Sequence, residues 1–306
     1  MFRKLLIALD ESSCSEHAGR LGLALAKRLS AKATVLHVIT PAPAPFGIGT
    51  YSQTLERYAQ ELLSSWKELG KDLGLEVKIR YTHAQDAAEG IVHTATELAC
   101  DLIVMGTHGR ERLSRVFLGS VAERVSRLSP VAVLLVREDS EVRPISGAFE
   151  RILAPVDGSM AGAPALQVAD QLAQKLGAKL QILHVIPYLP PLIFMPGAPN
   201  TGPMAVYNHE ATERALLEEG QAIVEAAKSK TKTSKVHTEV VKAQADLESQ
   251  VIVEYAQQHH SDLIVMGTHG RTGIERLLLG SVAEGVAHHA SVPLLLLRPN
   301  PTRKSA

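Results

Sequence analysis

The chain has 306 residues, a length that predicts two domains at about 150 residues each, and its 45% hydrophobic and 21% charged content is typical of globular rather than disordered proteins. Its 32 basic and 32 acidic side chains balance to a formal net charge of zero. This balance disfavours a dedicated nucleic-acid binder and a protein that binds an anionic membrane surface, because both classes carry a basic excess.

Short apolar runs alternate with longer amphipathic runs along the first half of the chain. Strands are expected at residues 5–9, 33–38, 76–81, 102–106 and 131–136. Helices are expected between them, at residues 15–29, 55–73, 86–99 and 119–128. Continuous apolar strands that alternate with helices are typical of a parallel sheet covered on both faces. Right-handed crossovers then make this half a doubly wound, five-stranded α/β domain.

The second half of the chain repeats the first. Residues 101–137 and 262–298 are identical at 22 of 37 positions, at an offset of 161, and the earlier segments align at an offset of 147. Strands are therefore expected at 152–156, 180–185, 236–241, 263–267 and 292–297. Most of the 14 additional residues fall in the segment 187–203, which contains six prolines and is expected to be a loop. We predict two tandem domains of one fold, at 1–140 and 151–306, joined by a linker at 141–150.

Neither half shows a feature of secretion or membrane insertion. The apolar run at residues 5–9 is too short for a signal-peptide core, and no run approaches the length of a membrane helix. The two cysteines, Cys14 and Cys100, cannot form a disulfide framework and lack metal-ligand spacing, so we expect both to be packing residues. Trp66 is expected to pack in the same way. These features predict a soluble protein of a reducing compartment, by default the cytoplasm.

A glycine-rich segment follows the fourth strand of each half. It reads Gly-Thr-His-Gly, then nine residues, then Gly-Ser at the predicted start of a helix. The positions are Gly106, Gly109, Gly119 and Ser120 in the first half and Gly267, Gly270, Gly280 and Ser281 in the second. Glycines let the backbone approach a ligand, and a helix N-terminus offers N–H groups to a phosphate. One such segment is typical of a simple turn, but two copies with the same spacing favour a binding loop.

This spacing resembles the ATP-binding branch of the universal stress protein family, whose motif is Gly-x2-Gly-x9-Gly-[Ser/Thr]. The resemblance covers nearly the whole chain, twice, and implies a Rossmann-like fold with a role in the stress response. It implies ATP as the ligand of each half. Mg²⁺ or Mn²⁺ is expected to accompany the triphosphate, whose negative charges otherwise repel one another.

The resemblance also implies a set of nucleotide-binding residues in each half. Those of the first half are Ala8, Asp10, Ser12, Val38, Met105, Gly106, His108, Gly109, Arg110, Gly119, Ser120 and Val121. Those of the second half are Pro155, Asp157, Ser159, Val185, Met266, Gly267, His269, Gly270, Arg271, Gly280, Ser281 and Val282. The aspartates, the second-strand valines and the methionines are implied to contact the adenine, and the glycines and the helix-start serines to hold the ribose and phosphates. The loop histidines and arginines either touch the phosphates or are solvated.

The two halves differ beside the first-strand aspartate. The first half reads Asp10-Glu11-Ser12, whereas the second reads Asp157-Gly158-Ser159. Glu11 therefore adds a carboxylate beside the site of the first half only. We expect that the two sites need not be equally occupied.

Other nucleotide-binding and catalytic motifs are absent from the sequence. It has no Walker P-loop, no Gly-x-Gly-x-x-Gly after the first strand and no nucleophile elbow. An efficient enzyme is therefore not expected, although slow ATP hydrolysis stays open. Two functional classes remain: a regulatory protein whose ATP state changes its contacts with partners, and an interaction or scaffold protein of the same fold with empty sites.

Two pairs of adjacent histidines suggest either a metal site or a solvated helix face. They are His259–His260 and His288–His289, and both fall in predicted helices. Adjacent residues of a helix point in different directions, so a solvated face is favoured over a metal site. No metal site made of protein side chains is predicted.

The last strand of each half predicts how the halves assemble. Both strands, at 131–136 and 292–297, are almost wholly apolar, which is a hazard at an exposed sheet edge. Pairing them antiparallel would satisfy their edge N–H and C=O groups and relate the two halves by a pseudo-twofold axis. One chain would then imitate a homodimer of single-domain relatives. Further association of two whole chains stays open, and the protein partners are not predicted.

Overall fold

The computed structural model describes residues 1–41, 48–108, 118–138, 149–188, 209–243, 247–268 and 279–298. The first half has five strands: β1 (Lys4–Leu9), β2 (Lys32–Ile39), β3 (Val77–His83), β4 (Leu102–Gly106) and β5 (Ala132–Val136). Its helices are α1 (Ser13–Leu29), α2 (Ile48–Asp72), α3 (Ala87–Glu97) and α4 (Ser120–Leu128).

The second half repeats this order of elements. Its strands are β6 (Arg151–Pro155), β7 (Lys179–Ile186), β8 (Val236–Lys242), β9 (Leu263–Gly267) and β10 (Leu294–Leu297). Its helices are α5 (Ala163–Leu176), α6 (His209–Ser229), α7 (Glu248–Gln258) and α8 (Ser281–His289). All ten predicted strands are present.

One continuous sheet of ten strands runs through both halves, in the order β3-β2-β1-β4-β5-β10-β9-β6-β7-β8. Neighbouring strands within each half are parallel, and β5 and β10 pair antiparallel at the centre. Each half is therefore a doubly wound, five-stranded parallel unit, as the alternating apolar runs predict.

Helices cover both faces of the sheet. One apolar core joins the sheet to α1, α2, α5 and α6, and a second core on the opposite face joins it to α3, α4, α7 and α8. Neighbouring residues of β1 alternate between the cores, with Leu5 and Ile7 in the first and Leu6 and Ala8 in the second. Because both faces are buried, a continuous apolar run is the pattern such a strand requires.

The pairing of β5 with β10 is symmetric with respect to the internal repeat. Leu134 lies opposite Leu295, its own counterpart at an offset of 161, and the flanking pairs are Val133 with Leu296 and Leu135 with Leu294. Leu134 and Leu295 are 1% and 2% exposed, so the pairing buries the edge that each half would otherwise present. The predicted antiparallel contact and its pseudo-twofold axis are confirmed.

Polar groups from the two halves also meet at this seam. Arg137 and Arg298 directly follow β5 and β10, and each guanidinium donates to a carbonyl near the C-terminus of the other half's helix: Arg137 to His288 O, and Arg298 to Ser126 O at 3.4 Å. Positive charge at a helix C-terminus is stabilising because it complements the helix dipole. Burial lowers the pKa of the Arg298 guanidinium.

His288 is half-buried and forms a contact between the halves, whereas its neighbour His289 is exposed, as expected of a solvated face. His288 Nδ1 accepts a hydrogen bond from Leu118 N at 3.2 Å. On the same face of the sheet, Arg127 Nη2 of α4 lies 3.2 Å from Glu284 Oε1 of α8. The sequence alone could not indicate these contacts, because they depend on how the two halves are placed.

Several smaller predictions can be compared with the described residues. Cys14 and Cys100 are buried and free, and Trp66 is 7% exposed in the core, as expected. The strand predicted at 292–297 begins two residues late, at Leu294, because Pro293 has no N–H to donate to a neighbouring strand.

Two connecting segments are only partly described. Of the predicted linker 141–150, the structure describes Phe149 and Glu150, and Phe149 is buried in the core at 5% exposure. Of the predicted loop 187–203, it describes Pro187 and Tyr188. The other residues of both segments lie outside the described residues, so the domain boundaries stay a prediction.

Candidate functional site

Of the predicted site residues of the first half, those that the structure describes gather at one edge of the sheet, where β1 and β4 end side by side. From β1 the chain winds outward through β2 and β3, and then returns to β4 on the other side of β1. Open α/β sheets bind ligands outside the carboxyl ends of their strands at such a point of reversal. Asp10 follows β1, Val38 lies near the end of β2, and Met105 and Gly106 end β4.

Asp10 organises the loop between β1 and α1. Its Oδ1 accepts hydrogen bonds from Ser12 N at 3.1 Å and from Ser12 Oγ at 2.6 Å. Ser12 Oγ also accepts from Ser15 N at 3.0 Å, which caps α1, and lies 3.3 Å from His108 O. The loops after β1 and β4 are thus joined through one serine.

Glu11 adopts a left-handed backbone conformation, with φ of 71°. Its counterpart in the second half is Gly158, with φ of 76°. The two loops therefore share a backbone path although the sequences differ. The turn, rather than the side chain, is what the two halves have in common here.

Gly119 precedes α4, the helix whose first residue is Ser120. Gly119 N donates to Thr107 O at 2.7 Å, and a Cβ at Gly119 would lie only 2.8 Å from that oxygen. Thr107 N in turn donates to Val136 O at the end of β5, at 2.9 Å. The glycine is therefore required by the protein's own backbone contact, in addition to any approach of a ligand.

Within the described residues, the first turns of α4 and α8 have no side-chain cap. Gly119 and Gly280 are the residues before them, and neither helix start receives a hydrogen bond from a capping side chain. The first N–H groups of a helix have no partner within the helix and carry partial positive charge. Ser120 and Ser281 are both exposed at this point. The arrangement suits an anionic group at the end of β4 or β9.

The second half encloses a cavity of about 350 Å³ at the same position. Eight of its predicted site residues line this cavity: Pro155, Asp157, Val185, Met266, Gly267, Gly280, Ser281 and Val282. The strand ends of β6, β7 and β9 form its floor, and the start of α8 closes one side. Loop segments far apart in the sequence are brought together here.

The remaining predicted residues of the second half are Ser159, beside the cavity, and three loop residues outside the described residues. Ser159 N donates to Asp157 Oδ1 at 2.9 Å, and Ser159 Oγ accepts from Gly162 N at 3.2 Å. In the first half, Ala8, Val121 and His108 are described, and His108 Nδ1 lies 2.9 Å from Thr107 Oγ1. The loop residues outside the described ranges are Gly109, Arg110, His269, Gly270 and Arg271.

Two helices contribute residues that the sequence analysis missed. Leu216 and Glu219 of α6, and Glu248 and Ile252 of α7, also line the cavity. They belong to no sequence motif, and each has a counterpart in the first half at the offset of 161. The counterparts of the two glutamates are Tyr58 and Ala87. The second site therefore has two carboxylates that the first lacks.

One buried histidine in each half joins the strand ends beneath the site. His37 Nδ1 lies 2.9 Å from Leu9 O, and His184 Nδ1 lies 2.7 Å from Val156 O. Each ring joins the second strand of its half to the carbonyl just before the site aspartate. His184 lines the cavity as well, whereas the sequence analysis gave no role to either histidine.

The model of the universal stress protein family matches the chain twice, at residues 1–137 and 148–298. A universal stress protein of Mycolicibacterium smegmatis is 29% identical over 301 residues, covering 96% of this chain and 97% of that protein. One from Methanocaldococcus jannaschii is 33% identical over 162 residues, covering 52% of this chain and 88% of that protein.

Solved structures share the fold over nearly the whole chain. A universal stress protein from Archaeoglobus fulgidus superimposes with a TM-score of 0.68 at 20% identity, covering 97% of this chain and 98% of its own. A putative universal stress protein from Pseudomonas aeruginosa gives 0.63 at 19% identity, covering 98% and 94%. Among the described residues, no helix is long and apolar enough to cross a membrane.

Proposed function

Because the chain belongs to the universal stress protein family, matched once by each half, we propose that each half binds ATP at the carboxyl ends of its strands. The protein is then a nucleotide-binding regulatory module of the stress response, with slow ATP hydrolysis at most. The observation that carries the proposal is the uncapped helix start after Gly119 and Gly280, which faces the strand ends in both halves.

The cavity of the second half fits a nucleotide in size and in the distribution of polar groups. Its volume of about 350 Å³ lies within the range of small-molecule sites, roughly 300–1,000 Å³. In this proposal the base lies among Val185, Ile252 and Met266. The phosphates lie at Gly280 and Ser281, where the backbone N–H groups and the helix dipole favour negative charge.

The proposed divalent cation is held by the nucleotide more than by the protein. The described residues contain no group of three His, Cys, Asp or Glu side chains that could hold a metal ion. Mg²⁺ keeps several water ligands and takes the rest from substrate phosphates in many nucleotide sites. Mg²⁺ or Mn²⁺ would therefore enter together with the triphosphate.

The test replaces the serine at the start of each helix. The double variant Ser120→Glu, Ser281→Glu should leave both helices stable, since acidic residues in the first turn complement the helix dipole. It places a carboxylate where the phosphate would lie. The matched control, Ser120→Gln with Ser281→Gln, has the same size without the charge. We expect the glutamate pair to bind ATP at least about tenfold more weakly than the glutamine pair, ~1.4 kcal/mol, by calorimetry.

Equal affinity in the two variant pairs would contradict the proposal. Mass spectrometry of nucleotide released from the denatured, purified wild-type protein separates it from the alternative function, an interaction or scaffold protein with empty sites. ATP in the released fraction supports the proposal. If added ATP also fails to bind in calorimetry, the scaffold alternative stands.

A further inference from the structure

Helix α8 reaches from the site of one half to the site of the other. It begins at Ser281, on the cavity of the second half, and His288 lies in its last turn. His288 Nδ1 accepts the N–H of Leu118, a residue of the first half, at 3.2 Å, and Arg137 of the first half donates to His288 O. A helix of nine residues, about 13 Å long, thus contacts the cavity of the second half at one end and, at the other, the residue before the N-cap of α4 in the first half.

The N–H that His288 accepts belongs to Leu118, the last residue of the glycine-rich segment before Gly119 and the start of α4. Leu118 is 6% exposed and packs in the core, and the next residue, Gly119, is the N-cap of α4. Gly119 N is itself fixed on Thr107 O at 2.7 Å. Two successive N–H groups are therefore held, one by the first half and one by the second.

The counterpart of His288 in α4 cannot do the same for the second half. That residue is Arg127, at the offset of 161. A guanidinium has only donors and cannot accept a backbone N–H, whereas a neutral imidazole with its proton on Nε2 can. Arg127 instead lies 2.8 Å from Glu123 and 3.2 Å from Glu284. Of these two residues, only His288 can therefore accept a backbone N–H of the other half.

We propose that His288 is a positioning residue for the nucleotide site of the first half, acting through Leu118 to hold the start of α4 against β4. The first site is then complete only when the second half is docked on it. The second site does not depend on a histidine of the first half. This inference rests on the proposed function, since it concerns the same ATP site.

The experiment uses full-length chains with one site weakened. In the Ser281→Glu background, the first site is expected to be the tighter one, and His288→Leu should weaken ATP binding at that tighter site about tenfold, ~1.4 kcal/mol. His288→Asn should restore affinity to within about twofold, since an amide oxygen can take the acceptor position of Nδ1. In the Ser120→Glu background, where the second site is expected to be the tighter one, His288→Leu should leave the affinity of that site unchanged.

Hydrogen exchange of the Leu118 amide provides a readout that needs no nucleotide. The amide should exchange slowly in the protein with His288 or Asn at this position, and at least about tenfold faster with leucine, because the buried acceptor is lost. Thermal unfolding of each variant checks that the chain remains folded. This measurement tests the contact itself, whatever the ligand.

The outcomes separate the inference from the proposed function. Equal ATP affinity of His288→Leu and its parent in the Ser281→Glu background overturns the inference and leaves ATP binding intact. Equal weakening by leucine and asparagine also overturns it, because packing rather than the hydrogen bond would then matter. If the Ser281→Glu parent binds no ATP, the proposed function fails for the first half and the inference fails with it.

Discussion

Glu11 has a backbone conformation that the second half assigns to a glycine. Its φ of 71° lies in the left-handed region, where the Cβ of an L-residue crowds the following carbonyl and costs about 1–2 kcal/mol. Gly158, at the equivalent position, has φ of 76° and no Cβ. The first half therefore keeps a carboxylate beside its site at the expense of local strain.

Replacing Glu11 by glycine should make the protein more stable. Relief of the strain exceeds the extra chain entropy of glycine in the unfolded state, so we expect Glu11→Gly to raise the free energy of unfolding by about 0.5–1 kcal/mol. Urea unfolding followed by circular dichroism measures this. In the control, Gly158→Ala should lower stability, because its Cβ would lie 3.1 Å from Ile223 in a strained conformation. A loss of stability in Glu11→Gly would refute the argument.

The glycines of the site show which local features the motif spacing predicts and which it does not. Spacing predicts that each Gly-Ser pair opens a helix; the helices begin one residue later, at Ser120 and Ser281, with Gly119 and Gly280 as their N-caps. It assigned the lack of a Cβ to the approach of a ligand. The 2.8 Å that would separate a Cβ at Gly119 from Thr107 O adds a reason from within the protein, which no local pattern reveals.

Helices α6 and α7 make the second site chemically different from the first. Their residues Glu219 and Glu248 line the cavity where the first half has Tyr58 and Ala87. A carboxylate close to a bound polyphosphate opposes it electrostatically, and salt weakens the effect. The second site should therefore bind an anionic ligand less tightly than its shape alone would allow.

Removing one of these charges should strengthen binding at the second site. In the Ser120→Glu background, we expect Glu248→Gln to raise ATP affinity about twofold to fivefold at low salt, with a smaller gain at high salt. Glu254→Gln is the matched control, because Glu254 is an exposed residue of α7 that does not line the cavity. Calorimetry at two salt concentrations measures both variants. A gain that is the same for both, or that salt does not change, would contradict the role given to Glu248.

At the scale of elements, the periodicity of apolar residues predicted most of the fold. Strands buried on both faces, such as β4 and β9, read as uninterrupted apolar runs and were predicted at their observed bounds. The start of α2 was not: it begins at Ile48, seven residues before the predicted 55, in a stretch without a clear apolar stripe. Helix ends of this kind depend on contacts that local sequence does not encode.

The parts of the site that were missed also depend on distant contacts. Leu216 and Ile252 approach the cavity from helices that precede and follow β8, and each is one apolar residue among many on an amphipathic helix. In the sequence, His184 is a polar residue within an apolar strand. Its role is evident only in the structure, where its Nδ1 lies within hydrogen-bond distance of Val156 O. Motif spacing identified the loops of the site, and only packing identified its walls.

For the whole molecule, the seam between β5 and β10 predicts the behaviour of half the chain. Every residue of β5 is buried, and its outer edge is satisfied by β10. A fragment of residues 1–140 would expose an apolar edge with unpaired N–H and C=O groups, which favours pairing with a second copy. We expect sedimentation to show this fragment as a dimer or larger species at tens of micromolar.

The full-length chain is the control, since its β5 edge is already paired. If the fragment remains a monomer at that concentration, the exposed β5 edge does not drive association. The argument that pairing with β10 stabilises the protein would then be wrong. A fragment that is unfolded by circular dichroism would instead show that the first half depends on the seam for folding.

The antiparallel seam also decides which way the two sites open. Since all strands of a half are parallel and β5 runs against β10, the carboxyl ends of the two halves lie at opposite edges of the sheet. The β1–β4 and β6–β9 positions are four strands apart, about 19 Å across the sheet. The two candidate sites thus lie at opposite ends of the strands. Two small partners can therefore bind the two sites at once without contacting each other. A single partner that contacts both sites must extend across the sheet.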